Sequence, residues 1–321
     1  MAAAERARLA LVTGGAGFIG SHLVSELLDH GWGVRVLDDF SSGSQSNLSA
    51  VADQIEVVRG DVRDEKRVVA AATGADVIFH QAAIVSVPRS IEAPLHTNDV
   101  NLGGTLRVLE AARIRRVRRV VFASSSAVYG NAGVPPLRES DAAEPISPYG
   151  MQKLAAESYL RVYAEFHGVE TVALRYFNVY GERQDPRSDY AAVIPLFLSA
   201  AQAGEPLHVH GDGEQTRDFI HVKDIAGANR LAADAPGVSG GRFNVASGRG
   251  TRVNKLVSIV SEAIGRELSV VSETERPGDV RHSHADIEAA RKALDFELEI
   301  DLEVGIRRML EQLAMIEEVA Q

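Results

Sequence analysis

Leu9-Ala10-Leu11-Val12-Thr13-Gly14-Gly15-Ala16-Gly17-Phe18-Ile19-Gly20 is an apolar run that breaks on a glycine-rich turn and resumes with helical period. Four successive apolar residues predict a strand covered on both faces, as in parallel sheets. Beyond the turn, Ile19, Leu23, Leu27 and Leu28 share one face of a helix. A strand, a tight turn and a helix N-terminus in that order form an anion cradle, because the first helical turn carries unpaired N–H groups and the positive end of the dipole. Gly14 permits the turn, Gly17 lets a pyrophosphate approach the backbone, and Gly20 lets the helix pack closely, with Phe18 and Ile19 in the first turn beside the anion. The spacing is G-x-x-G-x-x-G rather than the commoner G-x-G-x-x-G, so the loop takes its meaning from its surroundings.

Short apolar runs recur downstream at Val34 to Leu37, Ile55 to Val58, Val77 to Phe79, Val120 to Ala123 and Thr171 to Leu174, separated by helical segments such as the one carrying Leu102, Leu106 and Leu109. That alternation predicts an α/β fold with a doubly wound parallel sheet of Rossmann type. The second strand ends in Leu37-Asp38-Asp39, which sets Asp38 where a carboxylate accepts hydrogen bonds from an adenosine ribose and repels a 2′-phosphate. NAD is therefore favoured over NADP. The third strand runs into Asp61 and Val62, which would face the adenine. After Arg175 the rhythm turns irregular, with Gly and Pro in 181–186 and 211–213. We expect residues 1–175 to form the dinucleotide-binding domain and 176–321 a smaller α/β substrate domain, with segments near 218–247 returning to the first sheet. Further helices are predicted over Val253 to Ile264, Ile287 to Leu294 and Val304 to Glu318.

The 321 residues carry 44 acidic and 34 basic side chains, a net charge of -10 that argues against nucleic acid or an anionic membrane as partner. The one basic cluster, Arg113, Arg115, Arg116, Arg118 and Arg119, reads as a solvated helix end. Without a cysteine the chain has no disulfide, thiolate nucleophile or zinc-thiolate site. No metal site is expected; His282 and His284 read as hydrogen-bonding residues rather than ligands. The N-terminus lacks a signal-peptide pattern and no apolar run approaches a membrane span, so a cytoplasmic protein is expected.

Ser147-Pro148 supplies a helix cap and a favoured first residue, and Tyr149 and Lys153 follow four apart on one helical face. A tyrosine with a reference pKa of about 10 serves as acid or base near neutrality only if its phenolate gains about 4 kcal/mol of preferential stabilisation. Lys153, the helix N-terminus and an oxidised nicotinamide each act in that direction. Upstream, Val120-Val121-Phe122-Ala123 leads into Ser124-Ser125-Ser126-Ala127-Val128-Tyr129-Gly130, a row of hydroxyls at the carboxyl end of a strand, where ligands bind in such sheets.

Together the glycine loop, Asp38, the serine turn and Tyr149-xxx-Lys153 resemble the extended short-chain dehydrogenase/reductase family, and within it the nucleotide-sugar epimerases, over nearly the whole chain. The resemblance implies NAD as cofactor and Ser125, four residues before the tyrosine of Val128-Tyr129-Gly130, as the catalytic hydroxyl beside Tyr149 and Lys153. It implies further cofactor contacts from Gln81, Ala82, Ala83, Asn101 (in Asn101-Leu102-Gly103-Gly104-Thr105) and Tyr176, with Phe177 also beside the nicotinamide. On the substrate side it implies Ser86, Ser125, Ser126, Tyr149, Asn178, Val193, His210, Arg217, Arg276, Asp279 and Ser283. Guanidinium groups such as Arg217 and Arg276 suit a diphosphate.

Ser126 and Ala127 stand where the family's 4,6-dehydratases carry an Asp-Glu pair, so the acid that dehydration needs is missing. The resemblance therefore implies reversible C4 epimerisation of a UDP-hexose through a 4-keto sugar, with UDP-glucose and UDP-galactose as the default pair. Ser283 aligns with the position where a bulky aromatic resembles a restriction to non-acetylated sugars, so UDP-GlcNAc and UDP-GalNAc are expected substrates too. Alternatives are another NAD-dependent nucleotide-sugar enzyme (decarboxylase, dehydratase or reductase) and an NAD(H)-sensing binding protein. Helices around Leu102 to Ala112 and Ser147 to His167 resemble those of the family's dimer interface, so a homodimer is expected.

Overall fold

A computed structural model describes residues 7–185, 192–275 and 280–320, with side chains through residue 313. Its first half builds strands β1 (Leu9–Thr13), β2 (Gly33–Asp38), β3 (Ile55–Arg59), β4 (Val77–His80), β5 (Arg119–Ser125) and β6 (Glu170–Tyr176). These alternate with helices α1 (Phe18–Asp29), α2 (Glu65–Ala71), α3 (Val87–Glu92), α4 (Pro94–Asn98), α5 (Gly104–Arg115) and α6 (Pro148–Phe166). The second half adds β7 (Asn178–Tyr180), α7 (Val193–Ala203), β8 (Leu207–His210), β9 (Thr216–Arg217), β10 (Phe219–His221), α8 (Val222–Asp234), β11 (Gly241–Val245), β12 (Thr251–Arg252), α9 (Val253–Ile264), β13 (Val270–Glu273), α10 (Glu288–Leu294) and α11 (Leu302–Ala320).

Seven strands form one sheet in the order β11-β6-β5-β4-β1-β2-β3, every pair parallel. The alternation of side chains along each strand divides the core in two. Val12, Val36, Phe79 and Val121 face the layer holding α1 and α8, whereas Leu11, Leu37, Ile78 and Val120 face α2, α5 and α6. Between β1 and β4 the order reverses, and the crevice there, at the carboxyl ends of the strands, is where this architecture binds ligands. A third apolar cluster, with Phe197, Leu207, Leu256 and Ile306, lies under α7, α9 and α11. Among the described residues no helix is long and apolar enough to cross a membrane.

Three local readings change. The basic cluster is not wholly a solvated helix end. Arg119, only 3% exposed, opens β5 and donates to the carbonyls of Ala232 (2.7 Å) and Ala235 (2.9 Å), the orphan acceptors at the end of α8, while its Nε reaches Glu170 at 2.8 Å. Of the segments near 218–247, β11 joins the large sheet but β10 pairs with β7 outside it. The helix predicted around Leu102 to Ala112 is α-helical only from Gly104; Leu102 lies in a π-helical turn, Asp99–Gly103, with the buried Asn101 at its centre. Such turns cluster at functional sites.

Candidate active site

The glycine loop closes on β4. Gly14 has φ +70°, donates to Leu37 O at 2.8 Å, and a Cβ there would stand 2.7 Å from the Ala82 nitrogen. At Gly20 a Cβ would drive into the Gly14 carbonyl oxygen, so no side chain fits between helix and loop. The N-cap, Gly17, brings no capping side chain, and the first turn of α1 carries no acidic residue. Those N–H groups are thus left for an anion. Asp38 is buried at the end of β2 and accepts from Ala16 N (2.9 Å) and Phe40 N (2.8 Å), which ties the loop to the strand. Burial pushes its carboxyl above the usual range, against the pull of those two N–H groups. A carboxylate has further lone pairs, so Asp38 keeps capacity for a ribose hydroxyl. A cradle that only glycines fit, an open helix terminus and an acid at the end of β2 suit a dinucleotide.

Around the cradle, Val62 packs beside Gly104, and Asp61 is held by Arg63 (Nη2 to Oδ2, 2.6 Å), which lowers its pKa. Gln81 donates to Tyr176 Oη (3.2 Å) and Asn229 Oδ1 (3.0 Å), so Tyr176 belongs to a buried amide network. Ala82 N lies 3.4 Å from Thr13 Oγ1, and Ala83 follows on the same stretch. Asn101 accepts from Ile84 N (2.8 Å) and donates to Ile84 O (3.0 Å) and Gln152 Oε1 (2.7 Å). Its amide therefore clamps the loop after β4 to α6. Phe177 packs on Tyr129 in the core, with ring centroids 6.3 Å apart.

The chemical groups meet where β5 ends and α6 begins. Ser147 caps α6 by accepting from Gly150 N at 3.1 Å, and Tyr149 N donates to Ser90 Oγ at 3.1 Å. Tyr149 is 7% exposed and Lys153 3%. The phenol is hydrogen-bonded to Ser125, whose Oγ also accepts from Ala127 N at 3.2 Å. Ser126 opens the short 3₁₀ turn that follows. Lys153 Nζ donates to Ala123 O at 2.7 Å and lies 5.8 Å from the Tyr149 ring centroid. One turn further along α6, Glu157 pairs with the buried Arg175 on β6 (2.6 and 2.9 Å) and accepts from Ser124 Oγ at 2.5 Å.

Electrostatics depart from the sequence-based expectation. Burial pushes the Tyr149 phenol up to about 12, only partly offset by Ser125. Burial likewise draws Lys153 down to about 7, with Glu157 pulling it back up. The chain alone holds the phenol protonated, because both groups lie out of water and desolvation outweighs their neighbours. A positive charge brought in beside the phenol is what remains to favour the phenolate.

Among the expected substrate-side residues, Asn178 donates its backbone and side-chain N–H to Asp218 O at 3.0 and 3.3 Å. Arg217 lies on β9, with Nη1 on Thr216 O at 2.8 Å, and Ser283 N donates to that same carbonyl at 3.1 Å. His282 Nδ1 meets Thr216 Oγ1 at 3.1 Å, and His284 is partly buried beside Gly250. Val193 opens α7, and His210 Nδ1 meets Thr274 O at 3.1 Å at the end of β8. Ser86 caps α3 by accepting from Arg89 N at 3.1 Å. Arg276 and Asp279 lie outside the described residues.

Sequence reading passed over Glu157, Arg175, His80 and Asp218. Glu157 was within reach, since it continues the Tyr149, Lys153 spacing by four. His80 accepts from Thr13 Oγ1 at Nδ1 (2.7 Å) and donates from Nε2 to Thr105 Oγ1 (3.0 Å), whose own hydroxyl is spent on Asn101 O. No spacing announces such a chain.

Known proteins are similar to this chain in sequence and fold. A UDP-glucose 4-epimerase of Mycolicibacterium smegmatis is 39% identical over 305 residues, 94% of this chain and 97% of that protein. The structure of UDP-N-acetylglucosamine 4-epimerase from Methanobrevibacter ruminantium M1 in complex with UDP-N-acetylmuramic acid is similar with a TM-score of 0.92 at 40% identity, over 97% of this chain and 100% of that one. UDP-glucose 4-epimerase from Thermotoga maritima, solved with UDP-glucose, follows at 0.91 and 36%, over 96% and 99%. The model of the NAD dependent epimerase/dehydratase family matches residues 10–246, and this chain accordingly belongs to that family, with NAD as its cofactor.

Proposed function

We propose that the chain interconverts the C4 epimers of UDP-hexoses, taking UDP-glucose and UDP-galactose and also their 2-acetamido counterparts. The observation that carries this reading is the Ser125, Tyr149, Lys153 group at the carboxyl edge of β5, beside the glycine cradle and with no acid at Ser126 or Ala127. NAD, which the glycine loop and Asp38 would hold, would supply a reversible hydride acceptor, so no net redox change is expected. Tyr149 takes the proton of the C4 hydroxyl, and Ser125 holds that oxygen by a hydrogen bond. A 4-keto sugar so formed would be free to turn about its diphosphate link, and Tyr149 would return the proton to the C4 oxygen on either face. Asn178, Arg217, Arg276 and Asp279 hold the nucleotide while the sugar swings, with Ser86, Ser126, Val193, His210 and Ser283 around it; this positions the substrate without committing one face.

The same reading assigns residues 1–175, with β11, to the cofactor and most of the remainder to the nucleotide sugar. It takes the protein as a cytoplasmic homodimer. Met151, Tyr159 and Phe166 are exposed along α6, and Ile91 and Leu95 nearby on α3 and α4, an apolar surface suited to a second copy. The deciding experiment incubates the purified protein with UDP-glucose, UDP-GlcNAc and UDP-glucuronate. Epimer formation with constant NADH and no carbon dioxide supports the proposal; decarboxylation or stoichiometric NADH overturns it.

A further inference from the structure

Asp218 stands between Arg217 on β9 and Phe219 on β10 and is wholly buried. Its carboxylate is saturated. Oδ1 accepts from Ser247 N at 2.8 Å and Ser247 Oγ at 2.5 Å, and Oδ2 accepts from Gly248 N at 3.1 Å and Ala285 N at 3.0 Å. Four donors meet about four lone-pair sites, three of them backbone N–H groups, of which that of Ala285 is buried and would otherwise be unpaired. Its carbonyl in turn takes both donors of Asn178. One residue thus joins the start of β7, the turn after β11 and the strand-like segment two residues beyond Ser283. Those segments come from positions 178, 247–248 and 285; the first two lie just past β6 and β11 of the large sheet.

We propose that Asp218 is the positioning residue of the nucleotide-sugar side. By bonding to the turn after β11 and to Ala285 it ties Arg217 and Ser283 to the sheet that carries the chemical groups, and its carbonyl holds Asn178, just past β6, beside them. This rests on the UDP-sugar reading given above. Asp218 touches no substrate itself, so its effect falls on binding geometry. Asp218→Asn keeps the shape but turns one acceptor oxygen into an NH₂ aimed at N–H groups, which repels one of the held segments.

The test compares wild type, Asp218→Asn and Ser247→Ala, the last removing one hydroxyl donor to Asp218, together with the acceptor of the exposed Arg249 N, and leaving the three backbone N–H bonds to Asp218. NAD content, UDP affinity by calorimetry, and KM and kcat for UDP-glucose and UDP-GlcNAc are measured. For Asp218→Asn we expect a full complement of NAD, KM raised and UDP affinity lowered at least tenfold, kcat within about threefold, and an altered preference between the two sugars. For Ser247→Ala we expect the same pattern at about two- to fivefold. A merely structural role would lower NAD content, UDP affinity and kcat together, and that result overturns the proposal. If Asp218→Asn does not fold, Ser247→Ala decides: raised KM with full NAD supports the assignment and unchanged KM overturns it. Failure of wild type to bind UDP would instead remove the substrate reading itself.

Discussion

Lys153 donates from Nζ to the carbonyl of Ala123 at 2.7 Å, so the first turns of α6 are fastened to the end of β5 by the side chain that also underlies Tyr149. The bond does two things. It holds the ammonium at a fixed place below the phenol, and it sets the α6 register so that Tyr149 meets Ser125. A buried ammonium with one carbonyl and a ring face (Phe122 at 4.7 Å) is poorly solvated, which is why its pKa falls.

Replacing the phenol tests the chemistry most directly. Tyr149→Phe removes only the oxygen from a buried ring, and its hydroxyl partner Ser125 retains Ala127 N. Epimerisation measured by coupled assay should fall by about 10³-fold, within the range for loss of a general acid–base, while NAD content and melting temperature stay near wild type. Turnover within tenfold of wild type would assign the proton transfer elsewhere.

Glu157 raises the Lys153 pKa, and its own partners are Arg175 and Ser124. With Glu157→Gln the ammonium loses that support and faces an uncompensated Arg175, so Lys153 gives up its proton at lower pH. The alkaline limb of the kcat/KM profile should move to lower pH. An unmoved limb in a folded variant would show that Glu157 does not act on Lys153.

His80 is wholly buried between Thr13 and Thr105, and burial drives its pKa down to about 3. An unfolded histidine takes its proton near pH 6.5, whereas the folded one refuses it until far lower. Its contribution to stability is therefore complete above about pH 6.5 and drains away as pH falls toward 3, at up to about 1.4 kcal/mol per unit. His22, lowered to about 4 by burial, adds in the same direction. Chemical denaturation between pH 7 and 4.5 should show a shallower loss for His80→Gln than for wild type; equal slopes would refute the assignment.

Size selection is tested at Ser283, whose backbone is held on Thr216 O and whose side chain is small. Ser283→Tyr should keep activity on UDP-glucose within a few fold and lose at least tenfold on UDP-GlcNAc. A variant that handles acetamido sugars as well as wild type would remove Ser283 as the gate.

Local chemistry made much of this protein legible. Glycines at 14, 17 and 20 and the Tyr149 to Lys153 spacing each act within a few residues, so one turn or one helical repeat is enough to read them, and the acid at 38 is read from its place at the end of the next strand. The strand periods likewise announced a parallel sheet, since burial on both faces is written in each strand's own residues. What folding alone decided are the contacts between residues far apart in the chain. Arg119 and Arg175 look like surface cations until carbonyls and a carboxylate from 18 to 116 residues away close around them. Asp218 meets donors 29, 30 and 67 residues off, and Asn101 turns out to be spent on Ile84 and Gln152. The pKa of Tyr149 belongs to the same class: its attractive neighbours can be named from spacing, but desolvation sums over every atom packed around the ring, and here that sum is the larger force.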